Sequence, residues 1–130
     1  MIEALPIREI EDRDSLLASV GESAAENECM LSVTEGKILH AFLLFVFTEA
    51  GGRITRVLTF PGASDEALDL GLRAAVNIFD RAGAGFAYYD PKTEHLSALA
   101  RAVGFVPAEG AVSDLKLDIA AFFAAPCHGH

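Results

Sequence analysis

The sequence predicts an α/β domain in which a mixed central sheet of about six strands is flanked by helices on both faces. Residues 54–105 follow the order strand, long helix, strand, second helix, which is typical of a βαβ crossover between parallel strands. Residues 30–47 contain two apolar runs joined by a Glu-Gly turn, which predicts an antiparallel hairpin. The 130 residues are 52% hydrophobic, which suits one packed domain and is too short for two.

The first strand and the first helix are weakly marked. Residues 2–10 predict an edge strand, because Pro6 has no N–H to donate inside a sheet. Asp14 is a candidate N-cap for a helix over residues 15–27, and Gly21 weakens that helix.

The hairpin is the next element. Its strands are predicted at residues 30–34 and 37–47. The second strand is apolar at both alternating sets of positions, which predicts a central strand covered by helices on both sides. A turn at residues 49–52 then leads to a strand at residues 53–60.

The long helix is the most clearly marked element. Ser64 is a candidate N-cap, Asp65 and Glu66 place negative charge in the first turn, and Gly83 can end the helix in the left-handed conformation. Its apolar stripe recurs every three or four residues, at Leu68, Leu72, Ala75, Phe79 and Ala82.

A short strand at residues 85–89 and a second helix follow. Asp90 and Pro91 are predicted as the N-cap and first residue of that helix, and Gly104 as its end. After a loop, residues 114–123 alternate like a half-buried last strand.

The domain is predicted to span residues 1–123, with residues 124–130 as a flexible tail. The net charge of −9 argues against a nucleic-acid backbone or an anionic membrane as partner. The longest apolar run, residues 38–47, is well below the roughly 18 residues that a spanning helix needs. With no signal-peptide pattern, we expect a cytoplasmic protein in which Cys29 and Cys127 are free thiols.

This order of elements resembles the GNAT superfamily, the acyl-CoA-dependent N-acyltransferases. The resemblance covers about residues 30–123 and is strongest over the long helix, the strand GFAYYD, the helix HLSALARAV and the ending Gly104-Phe105. It implies a GNAT-like fold, acetyl-CoA or another acyl-CoA as co-substrate, and acyl transfer to an amine. The pantetheine arm is expected to pair with the backbone of Leu58, Thr59 and Phe60, where two neighbouring parallel strands diverge.

The pyrophosphate loop departs from the superfamily. Its members carry Q/R-x-x-G-x-G/A before the long helix, whereas this chain has PGASDEALDLGL, in which Gly62, Ala63 and Ser64 are the candidate contacts. Negative charge crowds the helix start, at Asp65, Glu66 and Asp69. A like-charge pair at ~4 Å costs ~1 kcal/mol in water and ~4 kcal/mol at an effective dielectric of 20, which can exceed the attraction of the helix dipole. Helix capping and an altered ligand are the two interpretations of these carboxylates.

The candidate catalytic residues are Tyr89 and Glu49. Many members of the superfamily have a tyrosine four residues before the glycine of the Gly-Phe ending, and this chain has Ala100 there. Tyr89 is the candidate general acid in its place, with ordinary packing as the alternative for Tyr89 and for Tyr88. Glu49 is the candidate general base, with a turn carboxylate as the alternative.

Other chemistry-bearing side chains favour structural roles. His40 lies in the most apolar strand and is predicted to be a core histidine, while Asp90 is an N-cap rather than a base and His95 lies on an exposed helix face. The thiol and imidazoles of residues 127–130 are metal-ligand types, but a free chain end builds no rigid shell, so no metal is expected.

Two functions remain open from the sequence. One is a GNAT-like acyltransferase whose partner is a small-molecule amine; the other is a non-catalytic ligand-binding or protein-interaction domain with a degenerate cofactor loop. No nucleic acid or membrane partner is expected, and an exposed edge at residues 114–123 allows a homodimer. The acyltransferase prediction depends on a gap between two neighbouring parallel strands.

Overall fold

The computed structural model describes residues 1–110 and 113–124. The strands are β1 (Ile2–Ile7), β2 (Cys29–Glu35), β3 (Ile38–Thr48), β4 (Gly51–Thr59), β5 (Phe86–Tyr89), β6 (Val106–Pro107) and β7 (Leu115–Asp118). The helices are α1 (Ile10–Ser19), α2 (Asp65–Arg81), α3 (Glu94–Val103) and α4 (Ile119–Ala124).

These strands form one mixed sheet in the order β1-β2-β3-β4-β5-β7-β6. β4 and β5 pair in parallel, and the other neighbouring strands of the described chain pair antiparallel. The predicted fold class is confirmed, with seven strands where about six were predicted. The extra strand is β6, which lies in a segment predicted to be a loop.

Helices cover both faces of the sheet, but unequally. α2 lies across β1 to β5 and packs against α3, and the side chains beneath them form the larger apolar cluster together with α4. α1 covers a smaller cluster on the opposite face, formed by Leu17, Met30, Phe42 and Leu44. The smaller cluster does not include β5, and Phe86 and Tyr88 of that strand are partly exposed on the second face.

α1 begins and ends earlier than predicted. It starts at Ile10, and Asp14 lies inside the helix rather than at its N-cap. It ends at Ser19 because Gly21 takes a φ of 77°, while the amide N–H groups of Gly21 and Glu22 donate to the carbonyls of Ala18 and Leu17. Gly21 thus terminates the helix instead of weakening its interior.

The long helix agrees with its sequence signals. Ser64 Oγ accepts a hydrogen bond from Ala67 N–H at 3.1 Å, and Gly83 follows the helix with a φ of 85°. At its core, the buried Phe79 ring lies edge-on to Phe45 and Phe47, with centroid distances of 5.6 and 5.7 Å. Such aromatic pairs stabilise the packing of α2 on the sheet by about 0.5–1.5 kcal/mol beyond area burial.

The N-cap of α3 was assigned to the wrong residue. Thr93, rather than Asp90, precedes the helix, and its hydroxyl accepts from Leu96 N–H at 3.1 Å. Asp90 and Pro91 lie in the connection from β5. Gly104 ends α3 as predicted, with a φ of 137°.

The last predicted strand is also corrected. β7 stops at Asp118 because its side chain caps α4, accepting from Ala121 N–H at 3.1 Å. β7 lies between β5 and β6, so residues 114–123 are not the exposed edge on which a homodimer was predicted. Of the predicted tail, Ala124 ends α4, and residues 125–130 lie outside the described residues.

Within the described ranges, no helix is long and apolar enough to span a membrane.

Candidate functional site

The two parallel strands pair over a short length, which ends where β5 ends. Gly52, Arg53 and Ile54 of β4 lie opposite Ala87, Tyr88 and Tyr89 of β5, and β5 ends there. β4 continues to Thr59 while pairing only with β3 among the described strands. Among the described strands, residues 55–59 of β4 therefore have no partner on the side that faces β5, and their backbone groups there are unpaired, as the predicted gap requires.

A β-bulge in β4 coincides with the start of this gap. Leu44 of β3 pairs with Arg56, whereas the next residue, Phe45, pairs with Ile54, so Thr55 is an extra residue in β4. A bulge bends its strand and increases the local twist. Ile54 is also the last β4 residue paired with β5, so the bulge lies at the point where that pairing ends.

Tyr89 lies at the apex of the gap. Its side chain is 2% exposed, and burial, with a smaller contribution from the charge of Asp90, raises the pKa of the phenol well above its ordinary value. The hydroxyl makes no hydrogen bond to a described residue. Since no described side-chain oxygen is both sealed from solvent and unbonded, this hydroxyl retains some contact with solvent. It is therefore a neutral donor available to a ligand.

The candidate residues Leu58, Thr59 and Phe60 follow along the open side of β4. Thr59 is exposed, while Leu58 and Phe60 are half-buried beside the smaller apolar cluster. The Phe60 ring lies edge-on to Phe42 at 5.2 Å, and Phe60 N–H donates to the His40 carbonyl at 3.1 Å. The ring and the amide of Phe60 thus both bind β3. Of the three candidates, Leu58 and Thr59 are the residues with backbone groups that can pair with a ligand.

The segment before α2 is a tight turn. Gly62 has a φ of 89°, and Ala63 N–H donates to the Phe60 carbonyl at 3.0 Å. Pro61 followed by this glycine is the pattern of a type II turn. Ser64 N–H donates to His40 Nδ1 at 3.2 Å. The amide groups of Ala63 and Ser64 are thus bonded within the protein, and the structure does not leave them free for a phosphate.

His40 is a core histidine, as predicted. It is 3% exposed, its Nδ1 accepts from Ser64 N–H, and its Nε2 lies 3.1 Å from Glu35 Oε1. Accepting at Nδ1 requires the tautomer that carries its proton on Nε2, which then donates to Glu35. The imidazole therefore joins β3 to the start of α2 and has no nitrogen left for catalysis.

The start of α2 carries negative charge and a bridge to α3. Asp65 Oδ1 lies 2.7 Å from His95 Nε2, and both side chains are largely exposed. The amide N–H groups of Asp65 and Glu66 have no intrahelical acceptor at these positions. They are the free donors at this helix end, and the carboxylates of the same two residues surround them.

Glu49 lies at the other end of the sheet. It is in the turn between β3 and β4, beside a cavity of about 360 Å³ that is also lined by residues 82–85 at the C-terminal end of α2. The gap opens at the C-terminal end of β4 and the N-terminal end of α2. The structure therefore does not bring Glu49 together with Tyr89. Glu49 lies beside Gly85, just before β5 begins, whereas Tyr89 is the last residue of β5.

An ion pair that the sequence analysis missed lies on the opposite sheet face from Tyr89. Arg53 binds Asp114 through two hydrogen bonds of 3.0 and 2.8 Å and lies over the Tyr88 ring at 5.3 Å. The hydrogen bond to Asp114 raises the pKa of Arg53, and a hydrogen bond from Ser113 lowers the pKa of Asp90. Arg53 and Asp114 are far apart in sequence, so no local pattern indicates their pairing.

Metal ligands do not cluster in the described part of the chain: no three His, Cys, Asp or Glu side chains of residues 1–110 and 113–124 could hold an ion together. Cys29 is a free, exposed thiol. Cys127, His128 and His130 lie outside the described residues.

Comparison with solved structures identifies the fold. A Bacillus subtilis acetyltransferase in complex with CoA matches with a TM-score of 0.66 over 91% of this chain and 99% of its own, at 13% identity. The Escherichia coli ribosomal-protein-S18-alanine N-acetyltransferase matches at 0.65 over 92% and 94%, at 13% identity. A GNAT-family chain from Desulfovibrio desulfuricans matches at 0.65 over 92% and 99%, at 10% identity.

This chain has the GNAT fold. The resemblance inferred from the element order is thereby confirmed at the level of architecture. No family model and no curated protein matches the sequence. At 9–13% identity the solved structures share the fold with this chain, and its chemistry has to be argued from its own residues.

The GNAT-fold neighbours correct the partner prediction. They include the AtaT toxin bound to the C-terminus of the antitoxin AtaR, the AtaT–AtaR complex bound to DNA and the KacTA–DNA complex, at TM-scores of 0.66, 0.64 and 0.63. The restriction to a small-molecule amine or no partner, with nucleic acid excluded, is therefore wrong for this fold. The net charge was a poor guide, because it averages over the whole chain and describes neither local patches nor a second chain.

Proposed function

We propose that this GNAT-fold chain is an acyltransferase that moves an acyl group from acyl-CoA to an amine. The observation that carries the proposal is the end of the β4–β5 pairing at Ile54 and Tyr89, beyond which residues 55–59 of β4 have no partner strand on that side among the described strands. An extended pantetheine arm can pair with strand backbone at residues 55–59, and this pairing depends little on side-chain identity. Solved neighbours in complex with CoA and with AcCoA support the choice of donor.

In the proposed reaction, the amine lone pair attacks the thioester carbon, a C–N bond forms and the C–S bond breaks. The Tyr89 hydroxyl donates its proton to the departing sulfur, and the proton lost by the amine returns to Tyr89 through water. Burial raises the pKa of Tyr89, so the phenol enters the reaction protonated; because the phenolate is disfavoured, the proposed transfer to sulfur is completed by the proton that returns from the amine. Glu49 lies too far from the gap to accept the proton of the amine, so the chain's own contribution is positioning and acid catalysis.

The acceptor is proposed to be a primary amine, including one carried by a macromolecule. One neighbour is a ribosomal-protein-S18-alanine N-acetyltransferase, and another is a mutant of the AtaT toxin bound to the C-terminus of an antitoxin. On the face that carries Arg53 and Tyr88, the α1 residue Leu17 packs with Met30, Phe42 and Leu44 of β2 and β3. Arg53 and Tyr88 themselves are only half-buried, so we propose that a large acceptor can reach them.

A second candidate function is a non-catalytic ligand-binding or protein-interaction domain. The observation that favours it is the start of α2, where His40 and Phe60 occupy the Ser64 and Ala63 amides and where Asp65 and Glu66 repel a pyrophosphate. Ala100 at the position of the superfamily's tyrosine points the same way.

Calorimetry and a thiol-release assay separate the two functions. The acyltransferase proposal expects heat on titration with CoA, acetyl-CoA or longer acyl-CoAs, followed by thiol release in the presence of an amine panel that includes peptide N-termini. Tyr89→Phe should bind CoA like the wild type and lower kcat by about 100-fold or more. Tyr88→Phe is the matched control. An absence of heat and of thermal shift at millimolar acyl-CoA would leave the binding-domain function.

A further inference from the structure

A buried carboxylate holds the bulge at which the gap opens. Glu28 lies just before β2, is 8% exposed and uses both of its oxygens. Oε2 accepts from Thr55 Oγ1 at 2.6 Å and from Arg56 Nε at 3.4 Å. Oε1 accepts from Arg56 Nη2 at 3.0 Å and from Ala25 N–H at 2.8 Å. The extra residue of the bulge and its neighbour are therefore bonded to one side chain.

The same contacts tie a loop to the sheet. Arg56 also donates to the Ser23 carbonyl at 2.6 Å and to Glu22 Oε1 at 3.3 Å. From α1, Arg13 donates to the carbonyls of Ala25 and Glu28. Residues 20–28 are thus fixed against the face of β4 opposite Tyr89, and Glu28 is the carboxylate shared by loop and strand.

Glu28 is held as a carboxylate. Burial opposes its ionisation, but the hydrogen bonds from Thr55, Ala25 and Arg56 outweigh burial and lower its pKa. A group that accepts hydrogen bonds from two side chains and one backbone amide is a poor general base, because abstracting a proton would break them. The arrangement suits a fixed position rather than proton transfer.

We infer that Glu28 is a positioning residue that fixes the bulge at Thr55 and so sets how far β4 turns away from β5. The hydroxyl of Thr55 and the guanidinium of Arg56 are both hydrogen-bonded to Glu28 on the loop side of β4. Because a bulge bends its strand, these bonds fix the direction in which residues 57–59 continue. The structural part of this inference stands on these contacts alone. Its consequence for acyl-CoA binding rests on the proposed function.

Substitutions at Thr55 test the hydrogen bond without emptying the site. Thr55→Ser keeps the hydroxyl, whereas Thr55→Val has a similar shape and lacks it. Glu28→Gln keeps the length of the side chain and removes the charge. Ile119→Val is the stability control, because Ile119 is buried in the other cluster and has no part in the Glu28 contacts. Each variant is assayed for amide hydrogen exchange, melting temperature and the Kd for CoA.

In Thr55→Val and Glu28→Gln, exchange of the amides at residues 55–59 should accelerate about tenfold relative to those at residues 42–45, and the Kd for CoA should rise about fivefold or more. Thr55→Ser should restore both values, and Ile119→Val should lower the melting temperature without this local change. Equal exchange of residues 55–59 in wild type, Thr55→Val and Glu28→Gln would overturn the inference. If Thr55→Val and Glu28→Gln accelerate exchange but the wild type binds no CoA, the positioning role of Glu28 is supported. The acyltransferase function is then contradicted instead.

Discussion

Tyr89 shows how one residue's surroundings limit the chemistry that it can do. Its ring packs in the larger apolar cluster, while its hydroxyl makes no hydrogen bond to a described residue and keeps some contact with solvent. Burial disfavours the phenolate and raises the pKa of Tyr89, so the phenol is neutral in the folded protein near neutral pH and can donate a hydrogen bond.

The raised pKa of Tyr89 predicts a loss of stability in alkali. In the unfolded chain the phenol ionises near its ordinary value of about 10, whereas the folded protein retains the proton to higher pH. The folded state therefore binds more protons above this pH, and the free energy of unfolding falls as pH rises through it. Tyr89→Phe should remove this part of the pH dependence, measured by urea unfolding from neutral pH into alkali.

The comparison is made in a Tyr88→Phe background, so that Tyr89 is the sole tyrosine of the 130-residue chain. In that background, ultraviolet absorbance should report ionisation of the phenol only as the protein unfolds. Ionisation of Tyr89 near its ordinary pKa in the folded protein would contradict the buried position.

Sequence patterns identified residues whose roles are local. The cap at Ser64 and the helix end at Gly83 are set by a few neighbouring backbone groups, and both are confirmed. The role of Glu28 was not predicted, because its partners Thr55 and Arg56 lie 27 and 28 positions away in the sequence. Glu49 was predicted as a candidate general base, with a turn carboxylate as the alternative, because the sequence could not show that its turn lies at the start of β4, away from residues 55–59.

At the scale of the element, the N-terminal turn of α2 sets the affinity for an anion. Its dipole and the free N–H groups of Asp65 and Glu66 favour a phosphate, and the two carboxylates oppose it. The double variant Asp65→Asn, Glu66→Gln should therefore lower the Kd for CoA about tenfold at low ionic strength. It should also lower the free energy of unfolding by about 0.3–1 kcal/mol per residue, because each charge stabilises the helix end.

Asp80→Asn is the matched control for charge, since Asp80 is exposed in the last turn of the same helix. Removing this carboxylate should leave the Kd for CoA unchanged and stabilise the helix slightly. Calorimetry at two salt concentrations checks both variants. If the double variant lowers the Kd for CoA as much at high salt as at low salt, the cause is not electrostatic.

Element types were easier to predict than element ends. The βαβ crossover followed from one amphipathic stripe between two apolar runs, and it is confirmed. The start of α3 was missed because Asp90 and Thr93 are both good caps, and tertiary packing chooses between them. The last strand was predicted to extend beyond its observed end, because Asp118 is both the last residue of β7 and the cap of α4.

At the scale of the whole molecule, α2 is the helix that joins the antiparallel half of the sheet to the parallel pair. It contacts β1 to β5 on one face, and Phe79 lies where β3, β4 and β5 come together. This packing lies at the end of β4 that pairs with β5, away from residues 55–59, which have no partner strand on that side among the described strands.

The closest approach in that packing is at Gly52, which pairs with Ala87 across the parallel strands. A Cβ at Gly52 would lie 2.2 Å from the Phe79 ring, which is fully buried and held by Phe45 and Phe47. Gly52→Ala should therefore lower the free energy of unfolding by about 1–3 kcal/mol, measured by urea denaturation. Gly85→Ala is the matched control, since a Cβ there meets nothing within 4 Å.

A double-mutant cycle with Phe79→Leu assigns that loss to a specific contact. Phe79→Leu alone should destabilise the protein, because a smaller side chain leaves a cavity beneath Phe45 and Phe47. In combination with Gly52→Ala the new methyl group occupies part of that space, so the double variant should be more stable than the sum of the two losses predicts. Strict additivity would mean that β4, α2 and β5 do not meet at Gly52, and the strand divergence that defines the site would then lose its fixed end.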